Sequence, residues 1–279
     1  MKFINNQRKT IILLSSKRSG STLVQNIFRN NKNVNLCHED QSCKVVECQF
    51  WSLSYELLIK KISYSDFKKK FKLQTFIDIK KIYLKQIKDK FDIFELWNII
   101  LDKYGPIIFD KSPQYLSNYK VIELILEYKK IYNNVYFIGI IRDPRDIITS
   151  QQLLWGGNIT DREKELISKF NNLQRLSDLH DLAIIKYEDL IKSPDKKIFY
   201  LFQYCDLEVN QISKINFHDQ SINIHENIFS KLTKREYPPK IIEIINKYNY
   251  KKEVKIQISK HLYLIYRIIL IKLKRILKY

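Results

Sequence analysis

Several residue types are scarce in this 279-residue chain, which has 5 Gly, 6 Pro, 4 Cys and 1 Met. Alanine occurs once, as Ala183. Such a composition excludes collagen-like and Gly/Pro-rich low-complexity proteins. Because glycine is so rare, each one indicates a place where the backbone needs unusual geometry.

The four cysteines form no CxxC pair, and three of them, Cys37, Cys43 and Cys48, fall within twelve positions. This distribution is unlike a disulfide framework. With His38, the same cysteines match no standard zinc spacing, so no metal site is predicted. We therefore expect buried thiols and a reducing, cytoplasmic location. The first sixteen residues hold one short apolar run, too short for a signal sequence.

The chain is basic, with 49 Lys and Arg against 30 Asp and Glu and a formal net charge of +19. This charge predicts attraction to phosphate, sulfate, acidic sugars or anionic lipid without selecting among them. Part of the lysine excess reflects a general bias in composition, because the chain is also rich in Ile, Asn and Tyr. A polyanion- or nucleic-acid-binding protein is one alternative, but no interleaved aromatic pattern or basic-region helix supports a specific nucleic-acid partner.

Apolar β-prone runs alternate with helical patterns along the chain. Buried strands are predicted at 10–15, 107–109, 135–141 and 182–185, because runs apolar on both faces suit a parallel sheet covered on both sides. Residues 51–104, without Gly or Pro, are predicted to form a helical insertion. The pattern predicts an α/β, three-layer, P-loop-like fold with a central parallel sheet flanked by helices, in a single domain over 1–279.

A basic helix is predicted at the C-terminal end, over about 254–279. Leu262, Ile265, Ile269 and Leu273 fall at helical spacing among lysines and arginines. The segment is too charged to span a bilayer. Two interpretations stay open: a helix at a membrane surface, giving peripheral contact, and a helix packed on the domain with solvated lysines.

The turn after the first strand has the properties of an anion cradle. Gly20 permits a tight path, and amides and hydroxyls stand at the start of a helix, where the dipole favours negative charge. The candidate binding residues are Lys17, Arg18, Ser19, Gly20, Ser21 and Thr22. No Gly precedes Gly20, so the turn lacks the GxxxxGK[ST] pattern of a Walker A loop. This absence argues against the alternative of a nucleotide-dependent phosphotransferase.

A second candidate anion site follows the strand at 135–141. Arg142 stands at the strand end, and Ser150 lies about two turns along the next helix. Ligands of open α/β sheets bind at such carboxyl ends. Two separate anion sites predict a long ligand.

Four segments together resemble the PAPS-dependent sulfotransferases. SSKRSGSTL and IIRDPRDIITS resemble the 5′-phosphosulfate loop and the 3′-phosphate segment of that family, and DKSPQYL and KYEDLIKSP resemble its DKTPRYL and YEDL segments. The resemblance covers roughly residues 8–205. The arginine in RSGST is similar to the carbohydrate and protein-tyrosine branch, whereas cytosolic small-molecule enzymes have a lysine there.

The resemblance implies both a ligand and residue roles. Backbone groups of Ser19–Thr22 would hold the 5′-phosphosulfate of PAPS, and Arg18 would contact the transferring sulfuryl. Arg142 and Ser150 would bind the 3′-phosphate, and Tyr187 would lie near the adenine. The implied reaction transfers a sulfuryl group from PAPS, without a metal, to a hydroxyl or amine of a saccharide, protein or lipid-like acceptor.

The reaction also needs a base for the acceptor proton. The resemblance to the protein-tyrosine branch points to Glu39, with Asp40 and His38 as competitors. Lys111 is the candidate for stabilising charge on the sulfuryl or leaving phosphate oxygens, with an ordinary solvated lysine as the alternative. A late segment of the family also reaches the 3′-phosphate, and Ser230, Lys231 and Lys234 are weak candidates for that contact. The acceptor itself cannot be inferred from the sequence, and we expect the insertion and the C-terminal region to select it.

Overall fold

The computed structural model describes residues 8–36, 47–75, 79–83, 85–209 and 236–250. Its centre is a five-stranded parallel sheet with the strand order β2-β3-β1-β4-β5. The strands are β1 Lys9–Ser15, β2 Asn35–Leu36, β3 Ile107–Lys111, β4 Val135–Ile141 and β5 Ala183–Lys186.

Helices connect the strands. The described helices are α1 Ser21–Arg29, α2 Phe50–Leu58, α3 Tyr64–Thr75, α4 Ile79–Ile82, α5 Lys90–Tyr104, α6 Tyr119–Tyr132, α7 Pro144–Trp155, α8 Ile159–Leu179, α9 Tyr187–Lys192, α10 Pro194–Tyr204 and α11 Pro239–Lys247. A 3₁₀ turn, Tyr115–Ser117, lies between β3 and α6.

The sheet separates two hydrophobic cores, because successive side chains of a strand point to opposite faces. In β1, Ile12 and Leu14 pack into a core with α2, α3, α5, α6, α7 and α8. Ile11 and Leu13 pack into the other core, with α1, α9 and α10. All four side chains are fully buried, so the predicted three-layer α/β fold with a central parallel sheet is confirmed.

The sequence predicted four of the five strands. The short strand β2 was missed because its two residues, Asn35 and Leu36, carry no periodic signal. Strand β3 runs two residues further than predicted, so Asp110 and Lys111 belong to it and do not follow it.

Helices α2 to α5 occupy most of the stretch from 51 to 104, in agreement with its helical pattern. Its assignment as an insertion in a single domain over 1–279 stays a prediction. The basic segment 254–279 lies outside the described residues. Among the residues that are described, no helix has both the length and the apolar character needed to cross a membrane.

The strand order creates a crevice at the carboxyl edge of the sheet. β1 and β4 are neighbours, but α1 after β1 packs on one face, while α7 and α8 after β4 pack on the other. The two connections therefore diverge. Such a switch point is where open α/β sheets bind their ligands.

Candidate active site

The turn between β1 and α1 has an unusual backbone. Arg18 has φ 71° and Gly20 has φ 97°, so two left-handed residues flank Ser19. The Ser19 hydroxyl donates a hydrogen bond to the Ser16 carbonyl oxygen at 2.8 Å, which closes the turn. The Ser19 backbone N–H also donates to the Ser16 carbonyl oxygen, at 3.3 Å. The part of the turn suited to an anion is therefore the start of α1, where the helix dipole has its positive end. Anion binding at this turn stays a prediction.

Gly20 lies against the ring of Tyr187, the first residue of α9. A Cβ atom at Gly20 would come within 2.2 Å of the Tyr187 Cδ2 atom, so only glycine fits. On the same ring, the Arg142 guanidinium carbon lies 4.8 Å from the ring centroid. Tyr187 is buried and connects the turn after β1 with the end of β4.

Hydrogen bonds join the two predicted anion sites directly. The Arg18 Nε atom donates to the Ser150 Oγ atom at 2.9 Å, and Arg142 Nη1 donates to the Arg18 carbonyl oxygen at 3.0 Å. The Gln151 amide donates to the Lys17 carbonyl oxygen at 3.0 Å. Arg18 and Ser150 were predicted to serve separate sites, but in the structure their side chains are paired.

The start of α7 is fixed by its own side chains. Asp143 is the N-cap residue, and its carboxylate accepts from the Arg145 backbone N–H at 2.9 Å. The same carboxylate pairs with the Arg145 guanidinium at 2.6 Å. Asp146, fully buried, lies 3.5 Å from the Arg142 guanidinium. These contacts orient Arg142 beside the turn after β1.

Glu188 links α9 to the start of α7. Its Oε1 atom accepts from the Asp143 backbone N–H at 2.9 Å. Its Oε2 atom is buried and has no hydrogen-bond partner among the residues that the structure describes. Burial raises the pKa of Glu188 from 4.5 to about 7, against the opposing effects of the Asp143 hydrogen bond and the Arg142 charge. The segments after β4 and β5 are thereby held together.

Lys111, the last residue of β3, is only 2% exposed. The interpretation of Lys111 as a solvated lysine is therefore wrong. Burial lowers the pKa of its ammonium group, while Glu47 opposes that shift and Arg29 adds to it. The structure thus shows a buried lysine at the carboxyl edge, on the strand beside β1, and its role toward a ligand stays a prediction.

Asp110 is fully buried next to Lys111. The Tyr115 hydroxyl lies 2.8 Å from its Oδ2 atom and 3.0 Å from the Cys48 carbonyl oxygen, so β3 and the start of α2 are linked. Burial raises the pKa of Asp110 to about 8, more than the Tyr115 and Cys48 hydrogen bonds lower it. Through Tyr115, Asp110 therefore helps to hold β3 against the start of α2.

The structure brings most of the predicted residues to one edge. The cradle residues, Arg142, Ser150 and Tyr187 lie within one connected set of contacts, and Lys111 lies one strand away. Glu39, with His38 and Asp40, lies outside the described residues, as do Ser230, Lys231 and Lys234.

Sequence reasoning missed several residues that hold these segments together, among them Gln151 and Glu188. Gln151 follows the predicted Ser150 and reaches back to the turn after β1. Glu188 follows the predicted Tyr187 within YEDL. Their positions beside predicted residues were the available signal, but their partners lie 134 and 45 positions away, which no local pattern indicates.

Comparisons with known proteins identify the family of the chain and agree with its fold. The model of the "Sulfotransferase family" matches residues 10–211, so the chain belongs to the sulfotransferase family. A sulfotransferase domain from the curacin biosynthetic pathway superposes with a TM-score of 0.56 at 15% identity, covering 88% of this chain and 98% of that one. A sulfotransferase domain from the Synechococcus PCC 7002 olefin synthase gives 0.53 at 15% identity, covering 88% and 96%. A search of curated protein sequences gives no match.

Proposed function

We propose that this protein transfers a sulfuryl group from PAPS to a hydroxyl or amine of an acceptor, which is a saccharide, a protein or a lipid-like molecule. The observation that carries this proposal is the connected set of Arg18, Ser150, Arg142 and Tyr187 at the carboxyl edge. Membership of the sulfotransferase family supplies the reaction type.

The residues present fit a ligand with two anionic groups and an aromatic base. The turn after β1 offers backbone N–H groups at a helix start, suited to the 5′-phosphosulfate. Arg142 and Ser150 offer a guanidinium and a hydroxyl, suited to the 3′-phosphate. Tyr187 offers a ring beside them for the adenine. Arg18 donates a hydrogen bond to Ser150 and so connects the residues proposed for the 5′-phosphosulfate with those proposed for the 3′-phosphate.

In the proposed reaction, the acceptor oxygen or nitrogen forms a bond to sulfur while the bond from sulfur to the PAP phosphate oxygen breaks. Negative charge grows on that leaving oxygen. Arg18 and the buried Lys111 are the cations to which we give its stabilisation, because charge is stabilised more strongly where water is excluded. The products are the sulfated acceptor and PAP.

We propose that Glu39 is the base that takes the proton of the acceptor, because the CHED segment resembles the protein-tyrosine branch. Glu39→Gln keeps the shape of the side chain but removes its basicity, so single-turnover transfer should fall by about 10² to 10⁴. PAP affinity should not change. Asp40→Asn and His38→Ala are the controls, and a near-normal rate in Glu39→Gln with a collapse in either control would reassign the base.

The cofactor site is tested by calorimetric titration with PAP. Arg142→Ala removes a charge-assisted contact, so the affinity should fall about 10- to 150-fold, with a smaller loss for Ser150→Ala. The controls are Arg175→Ala and Ser168→Ala, on the exposed surface of α8. PAP affinity that is unchanged in both site variants, or equally weakened in the controls, would contradict the assignment. Transfer of labelled sulfuryl from PAPS tests the reaction itself.

A further inference from the structure

A polar pocket opens beside the candidate active site. Its volume is about 570 Å³, in the range of ligand-binding clefts. It lies between the first half of α2, the loop after α2, helix α3, the turn after β3 and the start of α6. Its lining residues are Gln49, Ser52, Leu53, Tyr55, Glu56, Lys61, Lys70, Gln114, Ser117, Asn118 and Val121.

The pocket is close to the proposed transfer site. Gln114 follows Lys111 by three residues, so their Cα atoms lie within about 11 Å. The Tyr115 hydroxyl contact with the Cys48 carbonyl oxygen, at 3.0 Å, holds the start of α2 against the same turn. A molecule in the pocket therefore lies near the carboxyl end of β3, on the side of the sheet occupied by α2 and α6. Lys111 pairs with Leu13, which faces the other core, so a part of the molecule reaches Lys111 only across the carboxyl end of β3.

The chemistry of the lining suits a saccharide. In the described part of the lining only Leu53 and Val121 are aliphatic, which argues against a lipid chain. The amide of Gln114 and the hydroxyl of Ser117 belong to groups that both donate and accept, as sugar hydroxyls do. The Asn118 Oδ1 atom accepts from the Lys120 backbone N–H at 3.1 Å, so this amide contributes its NH₂ group as a donor. Tyr55 adds an aromatic ring, a surface against which the apolar face of a sugar ring packs.

The charge around the pocket favours an acidic ligand. Among the lining residues that the structure describes, Lys61 and Lys70 stand against a single carboxylate, Glu56. Two helices also begin there, α2 after Gln49 and α6 after Asn118. Helix starts carry partial positive charge, which adds to that of the lysines.

We propose that this pocket binds the acceptor and that the acceptor is a saccharide carrying carboxylate groups. This inference rests on the proposed function, because it names the acceptor class for the same reaction. The pocket holds the acidic sugar through the two lysines and the amides, and the unit to be sulfated extends from it toward Lys111.

The test measures binding to the full chain by saturation-transfer NMR with PAP present. The probes are an unsulfated hexasaccharide of alternating uronic acid and N-acetylhexosamine, a neutral N-acetylglucosamine hexasaccharide, and a peptide with one tyrosine flanked by aspartates. The uronic acid saccharide should bind most tightly. Tighter binding of the neutral saccharide or of the peptide would overturn the proposal.

A matched pair of double variants locates the site. Lys61→Gln/Lys70→Gln should weaken binding of the uronic acid saccharide about three- to tenfold, because each exposed ion pair contributes modestly. Lys60→Gln/Lys69→Gln removes the same charge from adjacent exposed residues that do not line the pocket, and should change it less than about twofold. Equal effects in both pairs would overturn the proposal.

A failure of saccharide binding can be told apart from a failure of the proposed function. PAP titration of the unchanged protein tests the cofactor site, and neither lysine pair belongs to that site. If PAP binds while the acidic saccharide does not, the sulfuryl-transfer proposal stands and the acceptor inference is refuted. If PAP does not bind, the proposed function fails at the cofactor, whatever the saccharide does.

Discussion

Replacing Gly20 with alanine perturbs the contact that connects three segments of the candidate site. The new Cβ atom would lie 2.2 Å from Cδ2 and 2.7 Å from Cε2 of Tyr187. Neither side can move easily, because position 20 belongs to the backbone of the turn and the Tyr187 ring is buried under the Arg142 guanidinium. The ring must therefore move, and its contact with Arg142 must change.

The magnitude has two parts. At φ 97°, an alanine is in a left-handed conformation that costs about 1–2 kcal/mol. Displacing a packed ring adds about 1–3 kcal/mol. Gly20→Ala should thus lower the free energy of unfolding by about 2–5 kcal/mol, which leaves a typical domain folded.

Gly157→Ala is the matched control. Gly157 has φ 87°, close to that of Gly20, but a Cβ there would approach only the mobile end of the Arg162 side chain, at 3.3 Å. Its cost should therefore be the conformational part alone, about 1–2 kcal/mol. Urea denaturation of both variants gives the two unfolding free energies, and PAP titration of both gives the effect on the site.

A double variant isolates the clash. In a Tyr187→Ala background the ring is absent, so adding Gly20→Ala should cost only about 1–2 kcal/mol. PAP affinity should fall about tenfold or more in Gly20→Ala and stay unchanged in Gly157→Ala. The reasoning is refuted if the two glycine variants unfold alike, or if the cost of Gly20→Ala is the same with and without the Tyr187 ring.

Three further predictions concern buried ionisable groups. Lys111→Met keeps the aliphatic length but removes the ammonium, so single-turnover transfer should fall far more than PAP affinity, since PAP lacks the sulfuryl group; equal losses would make Lys111 a binding residue. Because burial raises the pKa of Asp110 from 3.8 to about 8, the folded state holds a proton between those pH values that the unfolded state has released. The Asp110 contribution to stability should therefore fall as pH rises, by up to about 1.4 kcal/mol per pH unit. Urea denaturation at several pH values should show a shallower decline of stability with pH in Asp110→Asn than in the wild type. The pKa of Glu188 is raised from 4.5 to about 7, so Glu188 should also make the protein less stable as pH rises between those values. A Glu188→Gln variant whose stability follows the wild-type pH profile would show that this carboxyl does not titrate there.

The strands were predictable because their signal is local. Ile11 to Leu14 form a continuous apolar run, and both faces of that run are buried in the sheet. β2 escaped prediction because pairing with β3 makes two residues a strand, and such pairing is a tertiary property. Lys111 shows the same limit, because its burial follows from the strands and helices packed around it and lysine is ordinarily exposed.

The pairing of Arg18 with Ser150 extends this point to the site. The motifs indicated which residues bind anions, but a hydrogen bond across 132 positions depends on β1 and β4 being neighbours. The sequence contains both halves of the site without the information that they touch. The prediction of two separate anion sites assumed that they did not.

The contacts at the carboxyl edge bear on how such a site binds its ligand. Arg142 holds the backbone of Arg18, Gln151 holds that of Lys17, and Glu188 holds that of Asp143. In each case a side chain from one segment bonds the backbone of another, so folding itself fixes the relative positions of the segments. Little ordering then remains to oppose binding, because the entropy of these turns is lost when the chain folds. Weakening any one of these bonds should therefore reduce PAP affinity even where the residue touches no part of PAP.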